Sequence, residues 1–225
     1  MTPSLVSRSN SSKALVERWI GHSRILSNSS PFGTSDGQLQ DFRGFSFPHE
    51  KGNLKQSITA REFKFLDLSD ADLSHIVVDE CSFEDCRFAR CSLLDTTFGT
   101  CRFFRCHFLH TDFRAVGLGV GTGPEIAEFD TCSFFRPKLS RAALSRVTFK
   151  NIEFDGKDWS YVNFGIADFW NCKLRGMFRA CQFQDKLMRA VDRRFAGSSE
   201  LGFHNVDMSS AEFFFVGIPT RLGVR

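Results

Sequence analysis

The chain is 225 residues long, carries a formal net charge of +3 at pH 7, and contains 27 phenylalanines but only one tyrosine. A length of this order predicts one domain, with or without appendages. No stretch approaches the roughly 18 apolar residues that a membrane-spanning helix needs, and the N-terminus lacks the charged-then-apolar layout of a secretory signal. We therefore expect a cytoplasmic protein with no membrane association.

Residues 1–52 are predicted to form an N-terminal extension. Residues 13–26 place apolar side chains on one side of a helical repeat, which indicates a short amphipathic helix. Residues 28–37 are rich in Ser and Gly, a composition typical of a linker. Phe42 and Phe47 then stand five positions apart, so a degenerate first coil of the main fold can begin there.

Residues 61–181 repeat one pattern every five positions. A bulky apolar residue stands at the centre of each unit, and a small or apolar residue stands two positions earlier. Positions two apart on a strand point to the same side, whereas the other three positions are mostly polar and suit a solvated turn. A fixed period of this kind predicts a solenoid whose stacked coils bury one continuous column. The predicted centres are Phe63, Leu68, Leu73, Val78, Phe83, Phe88, Leu93, Phe98, Phe103, Phe108, Phe113, Leu118, Phe129, Phe134, Leu139, Leu144, Phe149, Phe154, Trp159, Phe164, Phe169, Leu174, Phe178 and Phe183.

This pattern resembles that of the pentapeptide-repeat family, from Phe63 to Phe183. Members of that family form right-handed β-helices of square cross-section, with four units to a coil. The resemblance implies an all-β fold: a right-handed quadrilateral β-helix over residues 53–183, with a short N-terminal helix and a helical insertion near the C-terminus. The N-terminal helix would cover the open end of the first coil, since solenoids need capped ends.

All eight cysteines stand two positions before a centre, where side chains are predicted to face inward. Alanine or valine fills the same place in other units, so cysteine acts here as a small apolar residue. Spacings of five do not match the paired-cysteine patterns of zinc sites, and we predict no metal and no cofactor. Cysteines one coil apart, such as Cys81 and Cys101, would lie within reach of a disulfide, but packing of reduced thiols is the favoured interpretation.

Two irregularities interrupt the repeat. The spacing from Leu118 to Phe129 is eleven, so the residues between them form either a protruding loop or one degenerate unit with a bulge. Lys157 stands at an inward place, so either its unit bulges at Gly156 or the ammonium group has an acidic partner. The candidate partner-binding loop comprises Gly119, Val120, Gly121, Thr122, Gly123, Pro124, Glu125 and Ile126.

Residues 184–225 are predicted to form a helix, a last coil and a dimerisation region. Apolar residues step by four between 184 and 195, which indicates a helix inserted between coils. The period of five resumes at Phe203 and continues to Ile218. Phe214 and Phe215 follow a centre and are predicted to point outward. Together with Ile218 they form a candidate interface for a homodimer joined through its C-terminal coils.

The sequence carries no catalytic constellation. Its six histidines are scattered, and none stands beside a Ser or Cys in a recognisable motif. A solenoid filled by Phe and Leu leaves no pocket of the kind that enzymes need. We therefore predict a non-enzymatic scaffold that binds a protein partner.

The resemblance also implies a more specific function. Qnr-type quinolone-resistance proteins and similar self-immunity proteins of the family bind DNA gyrase and protect it from poisons, and a square rod of duplex width imitates DNA. The implied partner is DNA gyrase or topoisomerase IV, and the implied role is antibiotic resistance or self-immunity. The candidate acidic surface comprises Asp67, Asp70, Asp72, Asp79, Glu80, Glu84 and Asp85.

The overall charge of +3 does not suit a DNA mimic. The alternative function is a structural or assembly module that acts through its ends, with no role related to DNA. Direct binding of nucleic acid is not expected, because the basic residues lie on different sides of the coil and lack regularly spaced outward aromatic residues. These basic residues are Arg136, Lys138, Arg141, Arg146 and Lys150.

Overall fold

The computed structural model describes residues 29–36, 38–47, 55–119, 127–165, 167–183 and 202–216. Within these ranges all regular elements are β-strands, and strands of successive coils pair in parallel to form a rod with four sides. The predicted fold class, a quadrilateral β-helix, is confirmed. The helices predicted over 13–26 and 184–195 lie outside the described residues.

One regular coil of the rod is 20 residues long, because Phe63 pairs with Phe83 and Phe83 pairs with Phe103. Each five-residue unit forms one short side and then turns a corner. The residue two places after the centre makes the turn with a positive φ, as in Asp85 (53°) and Arg105 (51°). Such a backbone costs a non-glycine residue roughly 1–2 kcal/mol. Hydrogen bonds between coils offset this cost, for example from the Asp85 N–H to the Phe104 carbonyl at 3.0 Å.

We number the four sides of the rod in chain order, starting from Ile58. Face 1 contains the seven strands β3 (Ser57–Thr59), β6 (Val77–Asp79), β8 (Thr97–Phe98), β11 (Gly117–Leu118), β14 (Ala143–Leu144), β17 (Asn163–Gly165) and β20 (Gln182–Phe183). Face 2 contains the seven strands β4 (Glu62–Lys64), β7 (Ser82–Glu84), β9 (Arg102–Phe104), β12 (Ala127–Asp130), β15 (Val147–Lys150), β18 (Ala167–Trp170) and β21 (Phe203–His204).

The other two sides merge toward the C-terminal end. Face 3 contains β1 (Thr34–Ser35), β2 (Leu39–Asp41), β5 (Leu66–Asp67), β10 (His107–Leu109), β13 (Ser133–Phe135), β16 (Glu153–Ser160), β19 (Lys173–Arg179) and β22 (Asp207–Phe214). Face 4, the column through Leu73, Leu93, Phe113 and Leu139, is first held by isolated parallel bridges such as Asp72 to Ser92. Strands β16, β19 and β22 are seven or eight residues long and run on from face 3 into face 4.

The rod begins before residue 53. Phe42 and Phe47 are buried and lie one coil before Leu68 and Leu73. Their N–H groups donate to the carbonyls of Asp67 and Asp72, each at 3.0 Å. The five-residue spacing of these two phenylalanines therefore marks a partial first coil.

Aromatic rings fill the interior column. On face 2 the ring of Phe103 stacks between those of Phe83 at 4.8 Å and Phe129 at 4.4 Å. Rings of neighbouring sides meet edge to face, as Phe98 and Phe103 do at 5.4 Å. Both arrangements are favourable for aromatic quadrupoles. Phenylalanine therefore dominates the composition because it is the core residue of nearly every coil.

Strand β16 explains the irregular position of Lys157. The pairing of β16 with β19 shifts register between Asp155 and Asp158, which leaves Lys157 exposed and buries Gly156. Of the two alternatives, the bulge is therefore correct. Gly176 lies against this bulge with a φ of +108°, and a Cβ there would stand 1.6 Å from the Gly156 carbonyl oxygen. Only glycine fits at position 176.

The segment between Leu118 and Phe129 is an insertion and not a degenerate unit. Leu118 pairs with Phe98 on face 1, and Phe129 pairs with Phe103 on face 2, so the two centres occupy consecutive sides. The second interruption likewise lies between Phe183 on face 1 and Phe203 on face 2. Both insertions therefore depart from the same corner.

Candidate functional site

The two ends of the rod differ in how well they are covered. At the N-terminal end the core residues Phe42 and Phe63 are both buried. At the C-terminal end Phe213 is 37% exposed, although Phe178, one coil earlier in the same column, is 0% exposed. Met208, in the last coil, is also only partly buried. The last coil thus presents core side chains that no described residue covers.

Strand β22 forms the edge of this end. It is eight residues long and pairs with β19 on one side, and no described strand pairs with its other side. Phe213 stacks on Phe178 at 5.2 Å. Phe214 is exposed as predicted, and Phe215, at a corner with a φ of 52°, is 94% exposed. Ile218, the third residue of the candidate dimer interface, lies outside the described residues.

A polar cluster fastens the last coil to the coil before it. The buried carboxylate of Asp168 accepts hydrogen bonds from Trp170 Nε1 at 2.7 Å and the Gly202 N–H at 2.8 Å. His204 Nε2 lies 3.3 Å from the same carboxylate, and the imidazole stacks on the Trp170 indole at 3.8 Å. Trp170 and His204 are 34 positions apart, so no local pattern could reveal this cluster.

The seven residues of the candidate acidic surface do not form one surface. They are distributed over all four sides: Asp67 on face 3, Asp70 between faces 3 and 4, Asp72 on face 4, Asp79 on face 1, Glu80 between faces 1 and 2, Glu84 on face 2 and Asp85 between faces 2 and 3. Asp67 is buried and accepts hydrogen bonds from Ser35 and Ser69.

Several of these carboxylates are neutralised by cations one coil away. The Arg90 guanidinium binds Asp70 at 2.6 Å, and the Arg105 guanidinium binds both Asp85 at 2.6 Å and Glu84 at 2.8 Å. The hydrogen bond from Arg105 lowers the pKa of Asp85, and the hydrogen bond from Lys64 lowers the pKa of Glu84. Asp70, Glu84 and Asp85 are therefore each paired with a cation of a neighbouring coil.

The candidate loop is described only at its first residue. Gly119 is buried with a φ of +67°, and a Cβ there would stand 2.0 Å from the Ser145 carbonyl oxygen. Glycine is therefore required where the insertion leaves face 1. Residues 120–126 lie outside the described residues.

All eight cysteines are free and buried, which confirms their inward placement. They also have a polar role that the sequence did not predict. Most of their thiols donate to the carbonyl 23 positions earlier, in the preceding coil, as Cys101 Sγ does to Val78 at 3.3 Å. Thr96 makes the same bond from the same position, to Leu73 at 2.6 Å. Burial raises the pKa of the Cys91 thiol well above its ordinary value.

The described ranges contain no group of three or more His, Cys, Asp or Glu side chains that could hold a metal ion. In the same part of the chain, no helix has the length and apolar character needed to cross a bilayer.

The comparisons with known proteins place the repeat in a family. Residues 67–103 match the family model described as pentapeptide repeats, in eight copies. No curated protein matches the chain in sequence. Among solved structures, the chain is similar to trypsin-treated QnrB1, a plasmid-mediated fluoroquinolone resistance protein, at 12% identity and a TM-score of 0.49, covering 81% of this chain and 91% of that one.

Two further structures have lower TM-scores. Full-length QnrB1 has 13% identity and a TM-score of 0.34, with 68% of this chain and 88% of that chain covered. HetL, a pentapeptide-repeat protein involved in heterocyst differentiation regulation from the cyanobacterium Nostoc sp. strain PCC 7120, has 12% identity and a TM-score of 0.23, with 90% and 92% covered. The family match shows pentapeptide repeats over residues 67–103, and the four-sided rod continues the same five-residue period on both sides of that segment.

Proposed function

We propose that this chain is a non-enzymatic scaffold that acts as a homodimer joined through its C-terminal coil and binds a protein partner. The observation that carries the proposal is the exposed last coil, where Phe213 is partly exposed above the fully buried Phe178. An interior filled by stacked rings supports a role based on surfaces. The eight free thiols favour a reducing compartment, the cytoplasm.

A second copy of the chain suits this end for two reasons. The edge of β22 with which no described strand pairs presents backbone N–H and C=O groups, and an open strand edge is a template for pairing with another strand. The exposed side chains of Phe213, Phe214 and Phe215 add apolar area beside that edge. A two-fold axis would bring both features together with their own copies, as in most homodimers.

The dimer is tested by light scattering and sedimentation on the purified chain. Replacing Phe214 and Phe215 with Ser should release monomers that retain the β-sheet circular dichroism of the parent. The matched control replaces Phe65 and Phe104, two exposed phenylalanines on the side of the rod, and should remain dimeric. A monomeric parent at high concentration would contradict the dimer, although binding of a partner could still be tested.

The most specific partner that we propose is DNA gyrase or topoisomerase IV, with protection against topoisomerase poisons as the outcome. Support comes from the family resemblance to Qnr-type proteins. Because the carboxylates are scattered and largely paired, recognition would depend on the shape of the rod and on the insertions at the corner between faces 1 and 2. We propose residues 119–126 as part of that contact.

Protection is measured by titrating the chain into gyrase supercoiling reactions that contain a fluoroquinolone. Recovery of supercoiling by the parent, and its loss when residues 120–126 are replaced by a short Gly-Ser linker, would support the proposal. The same titration is repeated with topoisomerase IV in a decatenation reaction, and if the chain neither protects nor is captured by either enzyme, a topoisomerase partner is excluded. The alternative is then an assembly module that acts through its ends, for which the exposed last coil is the favourable observation.

A further inference from the structure

One coil of the rod carries only positive charge. Residues 131–152 contain five Lys or Arg and no Asp or Glu. Three of these cations surround face 4. Lys138 lies on the face itself, where its backbone pairs in parallel with that of Asp112 one coil earlier. Arg136 and Arg141 occupy the positive-φ corners on either side. The sequence predicted that the basic residues lie on different sides of the coil, but Arg136 and Arg141 occupy consecutive corners, so that these three form one row across face 4.

This row is free to bind. Arg136, Lys138 and Arg141 are all exposed, and none of them makes an ion pair with any described residue. Other cations of the rod are engaged: Arg114 binds Asp112 at 2.6 Å, and the Lys150 ammonium group binds Glu128. Unlike these two paired cations, the three cations of the row stand close together and have no carboxylate partner among the described residues.

Aromatic side chains frame the row at both ends. The Arg136 guanidinium lies 5.2 Å from the centroid of the exposed Phe135 ring. Tyr161, which is 63% exposed, follows Trp159 at the corner that Arg141 occupies one coil earlier. Arginine and aromatic residues are the types enriched at the energetic centres of protein interfaces. Pro137, which is buried between two of the cations, fixes the local backbone.

We propose that this strip, formed by Phe135, Arg136, Lys138, Arg141 and Tyr161, binds an acidic protein segment that lies across face 4. Arg136 and Arg141 are five residues apart, so the row is at most about 17 Å long, the length of five fully extended residues. Carboxylates at alternate positions of an extended segment repeat at about 7 Å, so five or six residues would span the row.

The carboxylates on either side of the strip favour a segment that crosses the rod over one that runs along its axis. Asp112 lies on face 4 one coil before the row, and Asp158 and Glu212 lie on the same face in later coils. A polyanion that ran along the rod would lie over these carboxylates, whereas a segment that crosses the rod along the row lies over the three cations and has the carboxylates only at its sides. Nucleic-acid binders commonly neutralise about six to ten phosphates, more than this row supplies. The geometry therefore favours a short acidic protein segment over DNA or RNA.

The strip lies on the side of the rod, so its test is independent of the dimer and of the topoisomerase. Fluorescence anisotropy measures binding of a labelled oligo-glutamate peptide, an oligo-glutamine peptide and a short DNA duplex at low and moderate salt. Replacing Arg136 and Arg141 with Asn, which tolerates a positive φ, should weaken oligo-glutamate binding about tenfold or more. The matched control replaces Arg90 and Arg105, two corner arginines that are already ion-paired, and should change binding by less than about twofold.

Three results would overturn the proposal. The first is no binding of oligo-glutamate at low salt by a parent chain whose circular dichroism is that of the folded rod. The second is an equal loss of affinity in both double variants, which would mean that only net charge matters. The third is tighter binding of the DNA duplex than of the peptide, lost when Arg136 and Arg141 are replaced, because the strip would then be a nucleic-acid site.

Discussion

Truncation of a central ring tests the five-residue register most directly. Phe103 is 2% exposed and lies in the middle of the rod. Its ring stacks on Phe83 and Phe129 and meets Phe88, Phe98 and Phe108 at 6.3, 5.4 and 5.8 Å. Replacement by Ala removes all five ring contacts and leaves a cavity that the stacked coils cannot close.

Buried Phe→Ala substitutions cost about 3–5 kcal/mol, and each aromatic pair adds about 0.5–1.5 kcal/mol beyond buried area. We therefore expect Phe103→Ala to lie at the upper end, near 5 kcal/mol, which is a large part of the roughly 5–15 kcal/mol that stabilises a typical domain. The neighbouring Phe104 is 37% exposed and contacts the Arg105 guanidinium at 4.1 Å. Phe104→Ala should cost only about 1 kcal/mol, the value of an exposed cation–π contact with some lost area.

The assay is urea denaturation followed by circular dichroism, with the free energy of unfolding compared among the parent and both variants. A difference of about 3 kcal/mol or more between the two substitutions is expected. Equal destabilisation by Phe103→Ala and Phe104→Ala would refute the assignment of inward and outward positions, since the two residues differ mainly in the side of the strand that they occupy.

The remaining predictions concern glycine, cysteine and pH, and each is measured by the free energy of unfolding. Gly176→Ala should cost about 3 kcal/mol or more because the added Cβ would overlap the Gly156 carbonyl. The control is Gly33→Ala, which is also at positive φ but has no atom within 4 Å of the added Cβ, and it should cost only about 1 kcal/mol. Equal costs for the two variants would contradict the steric argument. Cys101→Ser should be more stable than Cys101→Ala by about 1 kcal/mol, because serine retains a donor to the Val78 carbonyl. A more stable alanine variant would show that only the packing of a small side chain stabilises this position. Burial raises the pKa of Cys172 to about 11, so the unfolded thiol ionises before the folded one. The contribution of this thiol to the free energy of unfolding should therefore be constant up to about pH 8.5 and fall between about pH 9 and 11. The fall should be roughly 1.4 kcal/mol per unit of difference between the folded and unfolded pKa values, and Cys172→Ala should remove it.

The sequence alone determined the architecture of the coil. A centre every five residues, with a small residue two places before it, specifies one short side of a square because positions two apart on a strand face the same way. The inward cysteines and the partial first coil at Phe42 followed from agreement with that period. The period also marked Lys157 as irregular, but only the structure decided between a bulge at Gly156 and an acidic partner. These features are local, so neighbours along the chain are sufficient to reveal them.

Only the tertiary structure decided which residues lie beside one another on different coils. That choice depends on the length of each coil, and the insertion after Leu118 changes the interval from 20 to 26 residues, as in the pairing of Phe103 with Phe129. The carboxylates grouped in the sequence consequently spread over four sides and pair with cations such as Arg90 and Arg105. Cations such as Arg136 and Arg141, which the sequence placed on different sides, flank one face, because consecutive corners of a square border the same side.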